Sequence, residues 1–314
     1  MGGRRHTRGG VGAQTLLPAG QGIGDGAERE LRPVSALVAR RGNIAVKVSA
    51  VGFLNAAPLY WGLKAGLHPP DWEVSFDLPS RCAERVLKGE ADLGLIPSIE
   101  FARSRGLVLA APLCVGARRE VTSVLLLCGG EVSGIRTVYL HAASRTSQML
   151  TRILLADLVA QEPLYREVAE PPTALAPEEA ALVIGDPALT LPRALKGLHR
   201  YDLAELWNRK TGLPFVFAVW AGRKSACTRE TETVLARSHA YGMEHLEEIV
   251  DQFSRTLDLP PETLRRYLTD HLSYPFGGAE VAGLRRFVAL ALKEEIPDER
   301  LGCASPNGGD GGSR

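Results

Sequence analysis

Ile44-Ala45-Val46-Lys47-Val48-Ser49-Ala50-Val51, then Gly52-Phe53-Leu54-Asn55, then Ala56-Ala57-Pro58-Leu59-Tyr60-Trp61-Gly62-Leu63, is the stretch from which the fold is read. The first eight residues alternate and are rich in β-branched side chains, which predicts a strand, whereas the last eight carry apolar residues at helical spacing. Asn55 stands where an N-cap belongs, and Pro58 is tolerated in a first helical turn. The unit then repeats. Residues 72–77 read as strand, 79–88 as a helix stopped by Gly89, and Asp92-Leu93-Gly94-Leu95-Ile96 as a short buried strand; Pro97-Ser98 opens a helix that runs to residue 103. Strands alternating with helices at this spacing predict an α/β protein with a mostly parallel sheet covered on both faces.

Further along, 107–113 and 121–128 read as strands, and Gly129-Gly130 breaks the chain. The pattern restarts with strand 137–141, loop 142–145, helix 146–160, strands 165–168 and 181–184, and a helix from Asp186. Phe215-Val216-Phe217-Ala218-Val219-Trp220-Ala221 is too apolar for a loop and reads as a central strand. Everything after it reads as helix, over 230–252, over 261–271, and in a last segment with Leu284, Phe287, Val288, Ala291 and Leu292 on one face. Helices without a sheet of their own should fold back on the first α/β unit. The architecture expected is two lobes with a ligand cleft between them. Lobe 1 takes 44–124 plus 219–297 and lobe 2 takes 125–218, with 121–128 and 215–221 crossing between them.

Composition narrows the function. Lys and Arg number 37 against 36 for Asp and Glu, a formal charge of +1, so no broad basic field marks a nucleic-acid binder. The longest apolar runs fall far short of the roughly 20 residues that span a bilayer, so no membrane insertion is expected. Ten of the 33 glycines lie in residues 1–43 and five in 301–314. Residues 1–43 and 298–314 therefore read as disordered tails. No apolar run near the start has the length of roughly 7 to 15 residues that an export signal needs, and a cytoplasmic location is expected. Five scattered cysteines without a CxxC pair read as reduced thiols, and isolated histidines without HExxH predict no metal site. Nucleotide loops and nucleophile elbows are missing, so no cofactor is expected either.

Three strand-to-helix junctions present polar residues: Asn55, then Ser144-Arg145-Thr146-Ser147, then Asp186-Pro187. Ligands of open α/β sheets bind at the carboxyl ends of strands, where helix amino-termini offer unpaired N–H groups to anions. Each junction read singly is also an ordinary cap, and only their combination points to a dianion held between lobes. Ser123 interrupts an apolar strand where the chain passes between lobes, and reads either as a backbone-bonded core serine or as a substrate contact.

Five blocks resemble, in order, those of the chorismate dehydratase family of menaquinone biosynthesis. They are Val51 to Leu59; Ala91-Asp92-Leu93-Gly94-Leu95-Ile96-Pro97-Ser98-Ile99-Glu100-Phe101; Ser144-Arg145-Thr146-Ser147; Leu182-Val183-Ile184-Gly185-Asp186; and Thr211 to Ala221. The resemblance covers about 44–296 and implies the type II periplasmic-binding-protein fold. It also implies dehydration of chorismate to 3-[(1-carboxyvinyl)oxy]benzoate in the futalosine route, a hydro-lyase reaction. By resemblance, Asn55 and Ser123 contact the reacting substrate and Ser144, Arg145, Thr146 and Ser147 hold a carboxylate; Asp186 is likewise expected to bind the substrate. The sequence departs in Gly52-Phe53, where many members carry Ser-Tyr, and in the extension before Asn43. Two other readings share the fold: the 1,4-dihydroxy-6-naphthoate synthase of the same pathway, which the block from Thr211 to Ala221 disfavours, and a solute-binding protein.

Overall fold

The computed structural model describes residues 46–172, 174–191 and 197–302. The expected tail over 1–43 lies outside the described residues, as do residues 303–314. In chain order the first lobe is built from β1 (Lys47–Val51), α1 (Ala57–Lys64), β2 (Glu73–Asp77), α2 (Pro79–Lys88), β3 (Leu93–Pro97), α3 (Ser98–Arg103) and β4 (Leu107–Ala117). The second contains β5 (Val124–Cys128), β6 (Thr137–His141), α4 (Arg145–Leu155), β7 (Leu164–Val168), β8 (Glu179–Ile184), α5 (Asp186–Thr190), β9 (His199–Asp202) and α6 (Leu203–Thr211). The chain then returns through β10 (Phe215–Arg223), α7 (Arg229–Glu244), α8 (Leu246–Leu257), α9 (Pro261–Arg266), a π turn over Tyr267–His271, β11 (Ser273–Pro275), α10 (Gly278–Leu292) and α11 (Asp298–Leu301).

The first sheet has the order β11-β4-β10-β3-β1-β2 and the second β7-β6-β8-β5-β9. Both are mixed, which corrects the expectation of a mostly parallel sheet. β1 runs parallel to β2 and β3, but β10 enters antiparallel between β3 and β4. Apolar periodicity marks a buried strand and is blind to its direction. Nor do two strands cross between lobes. β5 pairs only within the second sheet and β10 only within the first, so the passages fall in 118–123 and 212–214. The polar edge strand β9, helix α6 and the three-residue β11 escape the sequence reading; β11 interrupts the run expected to be all helix.

The C-terminal helices do return to the first lobe. α7 crosses α1 where Gly62 faces Ser238 and Gly242 faces Pro58; a Cβ on either glycine would fall within 2.5 Å of the opposing backbone. Ser238 Oγ seals the crossing by donating to the Leu59 carbonyl at 2.9 Å and accepting the Leu63 amide at 3.0 Å. α10 lays Phe287 edge-on to Phe215, with ring centroids 5.0 Å apart, and buries Leu284 and Val288 beside it.

Residues 298–302 are not a tail. α11 carries Arg300 into the protein, 7% exposed, where its guanidinium donates to the carbonyls of Leu107 (2.9 Å), Ala102 (3.2 Å), Ser104 (2.9 Å) and Phe101. Three of these close the carboxyl end of α3, where a cation also meets the helix dipole. Replacing Arg300 by Ala strands several buried carbonyls. Arg300→Ala is expected to lower the unfolding free energy by about 2 kcal/mol or more in a urea titration, with Arg300→Lys recovering only part of it.

Candidate functional site

A cleft open at its mouth lies between the two sheets. β1 and the turn after it supply Val51, Phe53, Asn55 and Ala56; β3 and β10 supply Leu95, Pro97, Phe217 and Ala218. The second lobe adds Val124, Ile184, Gly185, Ser144 and Ser147, and Pro79 and Val115 complete the wall. None of these side chains is ionisable. Gly185 holds φ 67°, a left-handed conformation that glycine adopts without strain, and it faces the Phe53 ring across the cleft.

Asn55 is not a helix cap. It lies inside a 3-10 turn, Leu54–Ala56, and the N-cap of α1 is Ala56, with no side-chain bond. Its Oδ1 is buried on the cavity side without a hydrogen-bond partner among the described residues. An orphaned buried amide oxygen costs stability, so its presence at a cavity wall points to a ligand.

Ser144 is the cap of α4: its Oγ accepts the Ser147 amide at 3.3 Å and donates to Ser147 Oγ at 2.8 Å. The Arg145 and Thr146 amides of that first turn have no acceptor among the described residues and are available to an anion. The side chains of those two residues are engaged elsewhere. Thr146 Oγ1 is buried and accepts the Ile99 amide at 3.3 Å, tying α4 to the start of α3. Arg145, expected to grip a carboxylate of the ligand, is off the cavity wall and pairs with Glu84 of α2 at 3.4 Å and Glu100 of α3 at 3.3 Å.

Asp186 also stands off the wall. Its Oδ1 accepts the Leu54 amide at 3.3 Å, so a second-lobe carboxylate braces the first-lobe turn that carries Asn55. Burial pushes its pKa up to about 6. Ser123 is fully buried behind the wall rather than on it: Tyr267 Oη donates to its Oγ at 2.7 Å, and its carbonyl accepts the Gly185 amide at 2.7 Å. Since Oγ accepts from Tyr267, the serine keeps its own proton to donate. Burial pushes the thiols of Cys82 and Cys128 up to about 12, which leaves them un-ionised at neutral pH.

The sequence model of the family described as menaquinone biosynthesis matches residues 46–293. The chain belongs to that family. It is 28% identical over 261 residues to the chorismate dehydratase of Thermus thermophilus, covering 76% of this chain and 93% of the relative. It is 27% identical over 244 residues to that of Campylobacter jejuni, covering 76% and 94%. Among solved structures it resembles a protein from Archaeoglobus fulgidus, with TM-score 0.61 and 15% identity over 78% of this chain and 96% of that one. It also resembles the alkanesulfonate-binding protein of Xanthomonas axonopodis pv. citri bound to MOPS, with TM-score 0.56 and 13% identity over 78% and 91%. A Candida albicans protein described as having the generic periplasmic binding protein fold matches with TM-score 0.53, 13% identity, 81% and 92% coverage. These likenesses establish a two-lobe periplasmic-binding-protein-like fold for this menaquinone-biosynthesis family member. No helix among the described residues is long and apolar enough to cross a membrane.

Two residues that bear on this family member's cleft go unread in the sequence: Tyr267, which meets Ser123, and Asp202, which lies at the base of the same segment. Asp202 followed by Glu205 is a visible capping signal, but nothing local shows what its second oxygen binds.

Because burial favours the protonated form of Asp186, folding raises its pKa above the ordinary carboxyl value. The stability carried by that proton is complete below about pH 4 and is lost as pH rises through about 6. Wild-type melting temperature is therefore expected to fall relative to Asp186→Asn between pH 4.5 and 7.5, the asparagine retaining an acceptor for the Leu54 amide. A pH-independent difference between the two proteins would contradict the assignment.

Proposed function

We propose that this protein eliminates water from chorismate to give 3-[(1-carboxyvinyl)oxy]benzoate, acting as a carbon–oxygen lyase in menaquinone biosynthesis. The observation that carries the reading is a cavity with the orphaned Asn55 oxygen and the first turn of α4 on its wall and no ionisable side chain there. The family match and the two named relatives support it.

Chorismate is a dicarboxylate, and a helix amino-terminus with a serine cap attracts one carboxylate without a buried counter-charge. The reaction removes the proton from the ring carbon bearing the ether oxygen. Hydroxide leaves the adjacent ring carbon, and the electron pair between them completes the aromatic ring. Aromatisation supplies the driving force, so the protein has to orient the substrate and ease the two departures. With no acid or base on the wall, the proton is assigned to the substrate's own carboxyvinyl carboxylate, folded over the ring. Asn55 accepts or donates at the reacting edge. Ser123, with its donor free, serves the leaving hydroxyl once substrate draws the cleft together. Ser144, Ser147 and the amides of Arg145 and Thr146 hold the ring carboxylate. Arg145 and Asp186 act on the cleft by joining its sides rather than by touching the ligand.

Purified protein is expected to convert chorismate to the carboxyvinyloxy-benzoate, identified by mass and ring proton spectrum, with turnover unchanged by a chelator. Strict dependence on an added divalent ion, the naphthoate product, or tight binding without turnover would each overturn the reading. Asn55→Ala is expected to lower kcat about a hundredfold or more while the melting temperature holds, since it removes an unpartnered buried group. Asn55→Asp should lose turnover likewise, by repelling the dianion.

A further inference from the structure

The segment that leads into β5 contains a residue in an unusual conformation. Thr122 has φ 61°, in the left-handed region that β-branched residues avoid. Two other described non-glycine residues have positive φ, Asp258 and Lys293, and each is the C-cap of a helix, where that conformation is routine. Thr122 ends no helix. A strained residue persists where its surroundings over-determine it, and here they do. Asp202 Oδ2 accepts the Thr122 amide at 2.6 Å and the Val121 amide at 3.0 Å. Its Oδ1 accepts the Ala204 and Glu205 amides at 2.9 and 3.1 Å. Capping α6 needs only the second oxygen. The first reaches 80 residues back along the chain to the passage between the sheets.

The next residues are those that matter to the cleft. Ser123 is pinned by Tyr267 and Gly185, and Val124 is on the cavity wall. We propose that Asp202 is a positioning residue: its carboxylate clamps two consecutive amides, holds Thr122 in the left-handed turn, and so fixes Val124 on the cleft wall and Ser123 directly behind it. The proposal rests on the role given to Ser123 above.

The test uses the full-length protein and steady-state chorismate turnover for Asp202→Ser, Ser123→Ala, Thr122→Gly and the double variant Asp202→Ser/Thr122→Gly. Serine caps α6 as well as aspartate does but is too short to reach Thr122, so the clamp is deleted with the cap retained. Asp202→Asn serves in its place if the serine variant does not fold. Asp202→Ser is expected to lower kcat at least tenfold with KM changed less than threefold. Glycine adopts φ near 60° without a clamp, so the double variant should recover kcat to within about threefold of Thr122→Gly alone. A cap-only role predicts no such rescue.

A kcat for Asp202→Ser that falls only with the folded fraction overturns the proposal, as does a double variant no better than the single. Undiminished kcat in Ser123→Ala overturns the reading on which it rests; lost kcat there without rescue overturns the clamp alone. Should wild type not turn chorismate over, the clamp is read from amide exchange at Val121 and Thr122. Exchange there is expected to be slow in wild type and fast in Asp202→Ser, and equal rates overturn it.

Discussion

The placement of β10 between β3 and β4 is the constraint on which the rest of the molecule depends. Strand 215–223 is almost wholly buried, and every amide and carbonyl of such a strand needs a partner. Between β3 and β4 it finds antiparallel partners on both edges. The chain therefore leaves the first sheet after β4, builds a second sheet, and comes back to fill that gap. A cleft between sheets results from this interrupted pairing. Phe217 and Ala218 bring the returning strand to the cavity wall, and Phe215 anchors it against Trp207 and Phe287.

The cleft is braced across its width by a few hydrogen bonds that tie the first lobe to the second or to the segment connecting them. The Leu54 amide meets Asp186, the Ile99 amide meets Thr146, and Tyr267 meets Ser123. Arg145 adds ion pairs to Glu84 and Glu100. Ionisable side chains thus surround the cavity as braces while its wall stays uncharged. Fixed dipoles at such a wall carry no desolvation cost of the kind a buried cation would impose.

Much of the fold is legible along the chain because local rules act there. Alternation over 46–51, proline at the start of α2, the apolar stripe of α10 and the apolar, aromatic-rich run of β10 each reflect burial against a neighbour. What escapes has weak local signal: β9 is polar because it is an edge, β11 has three residues, and strand direction leaves no periodic trace. The site divides the same way. Ser144 as the cap of α4 is readable from its neighbours, and Asn55 is drawn to notice by its junction. The reason for Asn55's presence is not local, since the helix begins one residue later and leaves its oxygen unpartnered.

By itself the sequence determined the two α/β units, the order of most of their strands and helices, and the five blocks that carry the family resemblance, because these depend on side chains close in sequence. Tertiary structure alone decided which polar groups face the cavity and which brace it. Arg145 is turned to Glu84 and Glu100, Asp186 to a backbone amide 132 residues away, and Asp202 to another 80 residues away. A charged side chain goes to whichever partner the packed fold brings nearest, and over such separations no local pattern encodes that choice.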